Sequence, residues 1–287
     1  MKYRWLLVVI ATAFISCKSK TKAPVSDTVL RVKNTNTISG LVQQFKPFIQ
    51  GIWVTSDYIT DLSRTKSPYI SSKKLAGAAA LEINLDSAEK DSTVVGVSLN
   101  NHEGASFTLF FKPGHQPNSL KTNWPDYEVN SNFYELGYQI AGGDTTLLLY
   151  HYNKNNQVID SVKYIRVLAK QKDNDLGYGI TYITNKLLIS GNYELTDTNG
   201  TTSNISFNNE GKVSGFTGYE TYYVNTDFEA GPQNDLDQFS FNIYTKQQKD
   251  YLFKIKGDTL NIYNIDFSAD SVHLKWGELK YKLVRRK

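Results

Sequence analysis

The chain has 287 residues, with 32 Lys and Arg against 28 Asp and Glu and a formal net charge of +4. Without Lys2 and Arg4 the excess halves, and Lys18, Lys20 and Lys22 account for what is left, so the rest is near neutral and nucleic acid is disfavoured as the main partner. The single cysteine, Cys17, excludes an intramolecular disulfide framework.

Residues 1–16 read as a short secretory signal peptide. Lys2 and Arg4 make a positive start and Trp5 to Ile15 is almost wholly apolar, but the run falls short of the roughly 20 residues of a membrane span. Phe14-Ile15-Ser16-Cys17 resembles a bacterial lipobox, in which a small residue precedes a cysteine that is acylated and becomes the mature N-terminus. The resemblance implies Cys17 as the lipidation site and a membrane as partner. At about 0.8 kcal/mol per buried CH₂, two or three acyl chains hold a protein far more firmly than one.

Residues 17–46 then form a tether, basic and polar at its start, with Pro24 opposing regular structure. Its lysines suit anionic headgroups. In some bacterial phyla, acidic residues directly after the lipobox cysteine export a lipoprotein to the cell surface. Their absence here implies an outer-membrane position facing the periplasm.

The rest is expected to hold two domains, 47–168 and 188–287, joined by a linker over 169–187. Landmarks recur in order. GIWVTSD from Gly51 matches GNYELTD from Gly191, Gly143-Asp144-Thr145 matches Gly257-Asp258-Thr259, and the closing runs around Tyr164 and Tyr281 match each other. Period-2 alternation, as in Phe239, Phe241 and Ile243 against Ser240 and Asn242, predicts strands. Asn199-Gly200, Glu210-Gly211, Pro113-Gly114 and Lys154-Asn155-Asn156 supply the turns. Eight short strands are expected near 192–197, 203–208, 211–217, 220–225, 237–245, 250–256, 259–265 and 278–285. One helical turn, Tyr58 to Arg64, is expected in the first half.

The GxW at Trp53, the GDTL strands and the terminal KY strands resemble the lipocalin-like barrels of Bacteroidetes-type lipoproteins, and residues 211–224 are also similar to the small META-type β domain. The second unit departs from the pattern, with Tyr193 in place of Trp. The resemblance implies an all-β chain of two tandem antiparallel up-and-down barrels, with a cup in which a ligand binds.

No catalytic motif emerges. No serine lies in GxSxG, and His102, His115, His151 and His273 lack metal-ligand spacing. Glu229, Asp235 and Asp237 lie in a polar loop whose spacing is no EF-hand. No metal, cofactor or catalytic residue is assigned. The aromatic residues, with 19 Tyr, 14 Phe and 4 Trp, are richer than strand patterning needs. Trp53, Tyr58, Tyr69, Tyr219, Tyr222 and Tyr223 are the candidate ligand contacts, since tyrosine pairs an apolar ring with a polar tip. Packing of the strands and barrel floor is the alternative use of these rings, for Trp53 above all. The leading reading is a non-enzymatic, lipid-anchored envelope protein binding a small apolar or amphiphilic ligand. A protein-docking module of an envelope assembly is the alternative, and a hydrolase of envelope polymers a third.

The substitution Cys17→Ser is expected to abolish incorporation of a labelled fatty acid and to release the protein from membranes. Unchanged membrane attachment contradicts the lipobox reading.

Overall fold

The computed structural model describes residues 37–170, 175–196, 200–228, 235–269 and 273–286. The expected signal peptide, Cys17 and most of the expected tether lie outside the described residues.

Helix α1 (Ile38–Ile49) opens the described chain, its N-terminus capped by Thr37 Oγ1, which accepts from Gly40 N at 3.2 Å. Leu41, Phe45 and Ile49 form one buried stripe at four-residue spacing. After Gly51, at φ +130°, come β1 (Gly51–Thr55), α2 (Ser56–Thr65) and α3 (Pro68–Ser71). Lys66 ends α2 in the left-handed conformation at φ +56°. Strands β2 (Ala78–Ile83), β3 (Ser92–Leu99), β4 (Glu103–Pro113), β5 (Ser119–Pro125), β6 (Phe133–Ala141), β7 (Asp144–Tyr152) and β8 (Val158–Leu168) follow. Each pairs antiparallel with its neighbour, and β8 returns to β1 to close an eight-stranded barrel. Alternate side chains fill it, among them Trp53, Val97, Leu109, Trp124, Leu136, Leu149 and Tyr164, while Phe45 of α1 packs on Tyr138 at 5.4 Å. The interior is a packed core.

Helix α4 (Tyr178–Leu188) precedes a second sheet of β9 (Gly191–Thr196), β10 (Thr202–Phe207), β11 (Val213–Ser214), β12 (Tyr222–Val224), β13 (Gln238–Phe241), β14 (Lys249–Lys256), β15 (Thr259–Phe267) and β16 (Leu274–Arg285). All eight strands fall where the alternation predicts them. Strand β16 pairs with β9, and the run β11-β10-β9-β16-β15-β14-β13-β12 has its two ends next to each other in sequence, linked by the isolated bridge Lys212–Thr221. The GDT landmarks are hairpin turns, with Gly143 at φ +90° and Gly257 at φ +60°.

Helices are more numerous than the sequence predicts. Most of α1 falls in the expected tether, and α4 occupies the expected linker. Gly179, Ile180, Thr181, Ile183 and Thr184 have low intrinsic helix propensity, and burial overrides it. Both helices serve the barrel landmarks in the same way. Trp53 Nε1 donates to Ile49 O at 2.7 Å, and Tyr193 hydroxyl donates to Ile189 O at 2.7 Å. The Arg166 guanidinium lies 4.7 Å over the Trp53 ring, and that of Arg285 lies 5.2 Å over Tyr193. Tyr193 thus fills the Trp position with the same two contacts.

One apolar core joins the halves. Val54, Tyr58, Leu62, Leu75, Ala79 and Ala80 from the first half pack with Ile180, Leu188, Phe207, Phe239 and Phe253 from the second. The fully buried Tyr58 and Thr184 hydroxyls bond each other at 2.8 Å. Helix α4 lies directly on β1: a Cβ at Gly179 would sit 2.5 Å from Ile52 Cγ2. Ile52 is β-branched and stiff, so it yields poorly. Gly179→Ala gains about 1 kcal/mol of helix propensity and loses roughly 1–3 kcal/mol to overpacking. A lowered denaturant midpoint is therefore expected, and a raised midpoint contradicts this packing.

Candidate functional site

At one end the second sheet is occupied by α4, Tyr193 and Arg285, whose Nη2 donates to Leu188 O at 3.0 Å. Four residues from Arg285 along β16, about 13 Å at 3.3 Å per residue, stands Tyr281, and the ring of Tyr251 from β14 meets it edge-on at 5.9 Å. Between them comes Tyr219, from the connection of β11 to β12. Its hydroxyl lies 3.0 Å from that of Tyr251 and 3.4 Å from that of Tyr281. The three tyrosines line an open mouth of about 530 Å³, rimmed by Lys249, Asp250, Asn264, Ile265 and Lys280.

Local chemistry holds these side chains in place. Gly215 and Gly218, at φ +76° and +85°, turn the connection that presents Tyr219. Asn242 clamps it: Oδ1 accepts from Glu220 N at 3.0 Å and Thr221 N at 3.2 Å, while Nδ2 donates to Gly218 O at 2.9 Å. Asn242 itself sits at φ +49°, a conformation asparagine tolerates. The Tyr219 ring stacks on Phe241 at 4.0 Å, and Phe216 meets the Tyr281 ring edge-on at 4.9 Å. The β15–β16 register shifts around Tyr263, which places Asn264 and Ile265 at the rim.

Burial pushes the Tyr281 hydroxyl up from its ordinary 10.0 to about 12, and raises Tyr219 and Tyr251 as well. All three are neutral hydroxyls near pH 7. Asp250 is already engaged, accepting from Ser240 Oγ at 2.7 Å and Gln248 Nε2 at 3.0 Å.

Of the aromatic residues singled out from the sequence, only Tyr219 belongs to this mouth. Trp53 and Tyr58 are fully buried in the two cores. Tyr222 is buried too, its ring stacked on Phe239 at 5.5 Å and its hydroxyl donating to Asn208 O at 2.6 Å. These three have no surface to offer a ligand. Tyr223, the next residue along β12, is half-buried. Tyr69 lies at the seam between the halves, where its hydroxyl donates to Asp235 at 3.0 Å and its backbone N–H to Asp237 at 2.8 Å. Tyr251 and Tyr281 were missed by the sequence reading. Their only signal is period-2 phase, Tyr251 with Phe253 and Tyr281 with Leu283, which marks interior-facing positions but not strand level.

Two histidines sit against carboxylates on the first barrel. Glu135 is fully buried and accepts from His115 N and Ser119 Oγ, both at 2.8 Å, with His115 Nδ1 at 2.6 Å. The Ser119 hydroxyl is thus held by a carboxylate and not by an imidazole. His151 Nε2 lies 2.9 Å from Asp126. Among the described residues, no group of three or more His, Cys, Asp and Glu is placed to hold a metal ion. No protein-family model matches the chain, and no curated protein or solved structure is significantly similar to it.

The raised Tyr281 value sets a pH dependence. An unfolded tyrosine loses its proton through about pH 10, whereas folded Tyr281 keeps it to about pH 12. Within that window the unfolded state binds fewer protons, so stability falls as pH rises. Below it, the group contributes no slope. Thermal midpoints of Tyr281→Phe are expected to fall less steeply across the window than those of wild type. Parallel profiles contradict the assignment.

Proposed function

We propose that the chain is a cell-envelope lipoprotein, anchored through Cys17, that acts without catalysis by binding an amphiphilic ligand at the mouth lined by Tyr219, Tyr251 and Tyr281. The observation that carries the reading is the convergence of three neutral hydroxyls and apolar rings on one solvent-open surface. Pockets of this kind bind through apolar contact and orient a ligand through a few polar groups. The filled interior of the first barrel directs the ligand to this surface and away from an internal cup.

In this reading both halves are lipocalin-like barrels in tandem. The pairing of β9 with β16, the Lys212–Thr221 bridge and the matching Trp53 and Tyr193 contacts support it. The lysines after Cys17 then lie along the headgroups of the outer membrane's periplasmic leaflet.

A second reading, docking to an envelope protein, draws on a different surface. Val158, Ile159, Val162 and Ile165 are all exposed along β8.

Native mass spectrometry of protein released gently from its host separates the two. A bound small molecule that is lost in Tyr219→Ala, with the circular dichroism spectrum unchanged, is the expected result. A chain free of small molecules that crosslinks stoichiometrically to one protein, and no longer does so in Ile159→Lys, favours docking and overturns the first reading.

A further inference from the structure

The hydrogen-bonding inventory of the tyrosine mouth narrows its ligand. Each hydroxyl has one proton and two lone pairs. In the chain Tyr251–Tyr219–Tyr281 two protons are used internally, which leaves one donor and four acceptor sites facing outward. Such a surface favours a ligand that brings several donors of its own. An alkyl chain brings none, and a sugar brings one on every hydroxyl.

The rim adds charge. Asp250 accepts three hydrogen bonds from the neutral Ser240 and Gln248, which hold it in place and leave its single negative charge against the two lysines. Lys249 and Lys280 have no ion-pair partner among the described residues. Two ammonium groups therefore stand beside the acceptor-rich patch, and they disfavour a cationic ligand. Asn264 supplies both a donor and an acceptor, and Ile265 supplies apolar surface for sugar C–H groups. The mouth is open, which suits a segment of an extended polymer.

We infer that the mouth takes an acidic glycan, its hydroxyls bonded to the chain Tyr251–Tyr219–Tyr281 and its acid directed to Lys249 and Lys280. The inference rests on the tyrosine mouth being the binding surface. Hydrogen bonds to charged groups are the stronger kind, so the lysines set the preference for acid over neutral sugar.

The test is calorimetric titration of the purified full chain with three probes: a uronic-acid oligosaccharide, a neutral oligosaccharide of the same linkage, and a lysophospholipid. The acidic oligosaccharide is expected to bind about tenfold or more tighter than the neutral one, a gap that closes in Lys249→Gln/Lys280→Gln. Tyr251→Phe and Tyr281→Phe, which keep the rings, are expected to weaken both sugars about tenfold. Equal binding of the two sugars to wild type overturns the acidic preference. Binding of the lysophospholipid alone, lost in Tyr219→Ala, overturns the sugar class and leaves the mouth as the binding surface. Sugar binding that Tyr219→Ala leaves unchanged overturns both.

Discussion

The burial of α2 and α4 in one apolar core is the constraint on which the rest of the structure depends. Tyr58 and Leu62 leave the first barrel on α2 and are covered by side chains of the second sheet. In return, α4 presents Gly179 to β1 and Thr184 to Tyr58. Separating the halves would expose these side chains at about 25 cal/mol per Å² of apolar area. It would also exchange the Tyr58–Thr184 hydrogen bond for bonds to water, a net loss of about 0.5–1.5 kcal/mol. The chain is thus two sheets with a common interior.

That arrangement decides which surfaces are free. In the first half, α1 packs Leu41, Phe45 and Ile49 into the barrel core. In the second, α4 takes one end and its seam with the first half. The end bearing Tyr251 and Tyr281 stays open, and the loop clamped by Asn242 sets Tyr219 across it. The shared core fixes where the strands stand. The clamp and the β15–β16 register shift then fix where the hydroxyls point.

Much of the fold is legible in the sequence because alternation and turn residues are local signals. The strands from β9 to β16 follow from apolar residues at period two, broken by Gly and Asn. The buried positions of Trp53 and Tyr193 are equally readable, since each lies two residues after the glycine that opens its strand. The helices are less so. In α4, Gly179 and the β-branched Ile180, Thr181, Ile183 and Thr184 argue against helix, and only contact with β1 and the second sheet makes it the stable form. Leu41, Phe45 and Ile49 of α1 carry a helical stripe, but it is short and follows a polar stretch. The candidate site was half legible. Tyr219 stood out in a Gly- and Tyr-rich run, whereas its partners Tyr251 and Tyr281 come from strands 30 residues apart in sequence. Their meeting depends on pairing register, to which no local pattern gives access.

Native-state hydrogen exchange is the most direct measurement of the shared core. Amides of β7, paired on both sides in the first barrel, and of β14, in the second sheet, are compared for the free energy of their slowest opening. A common interior predicts one value for both, because neither sheet opens fully without exposing α2 and α4. Two well-separated values, with one sheet exchanging completely while the other stays protected, would contradict it.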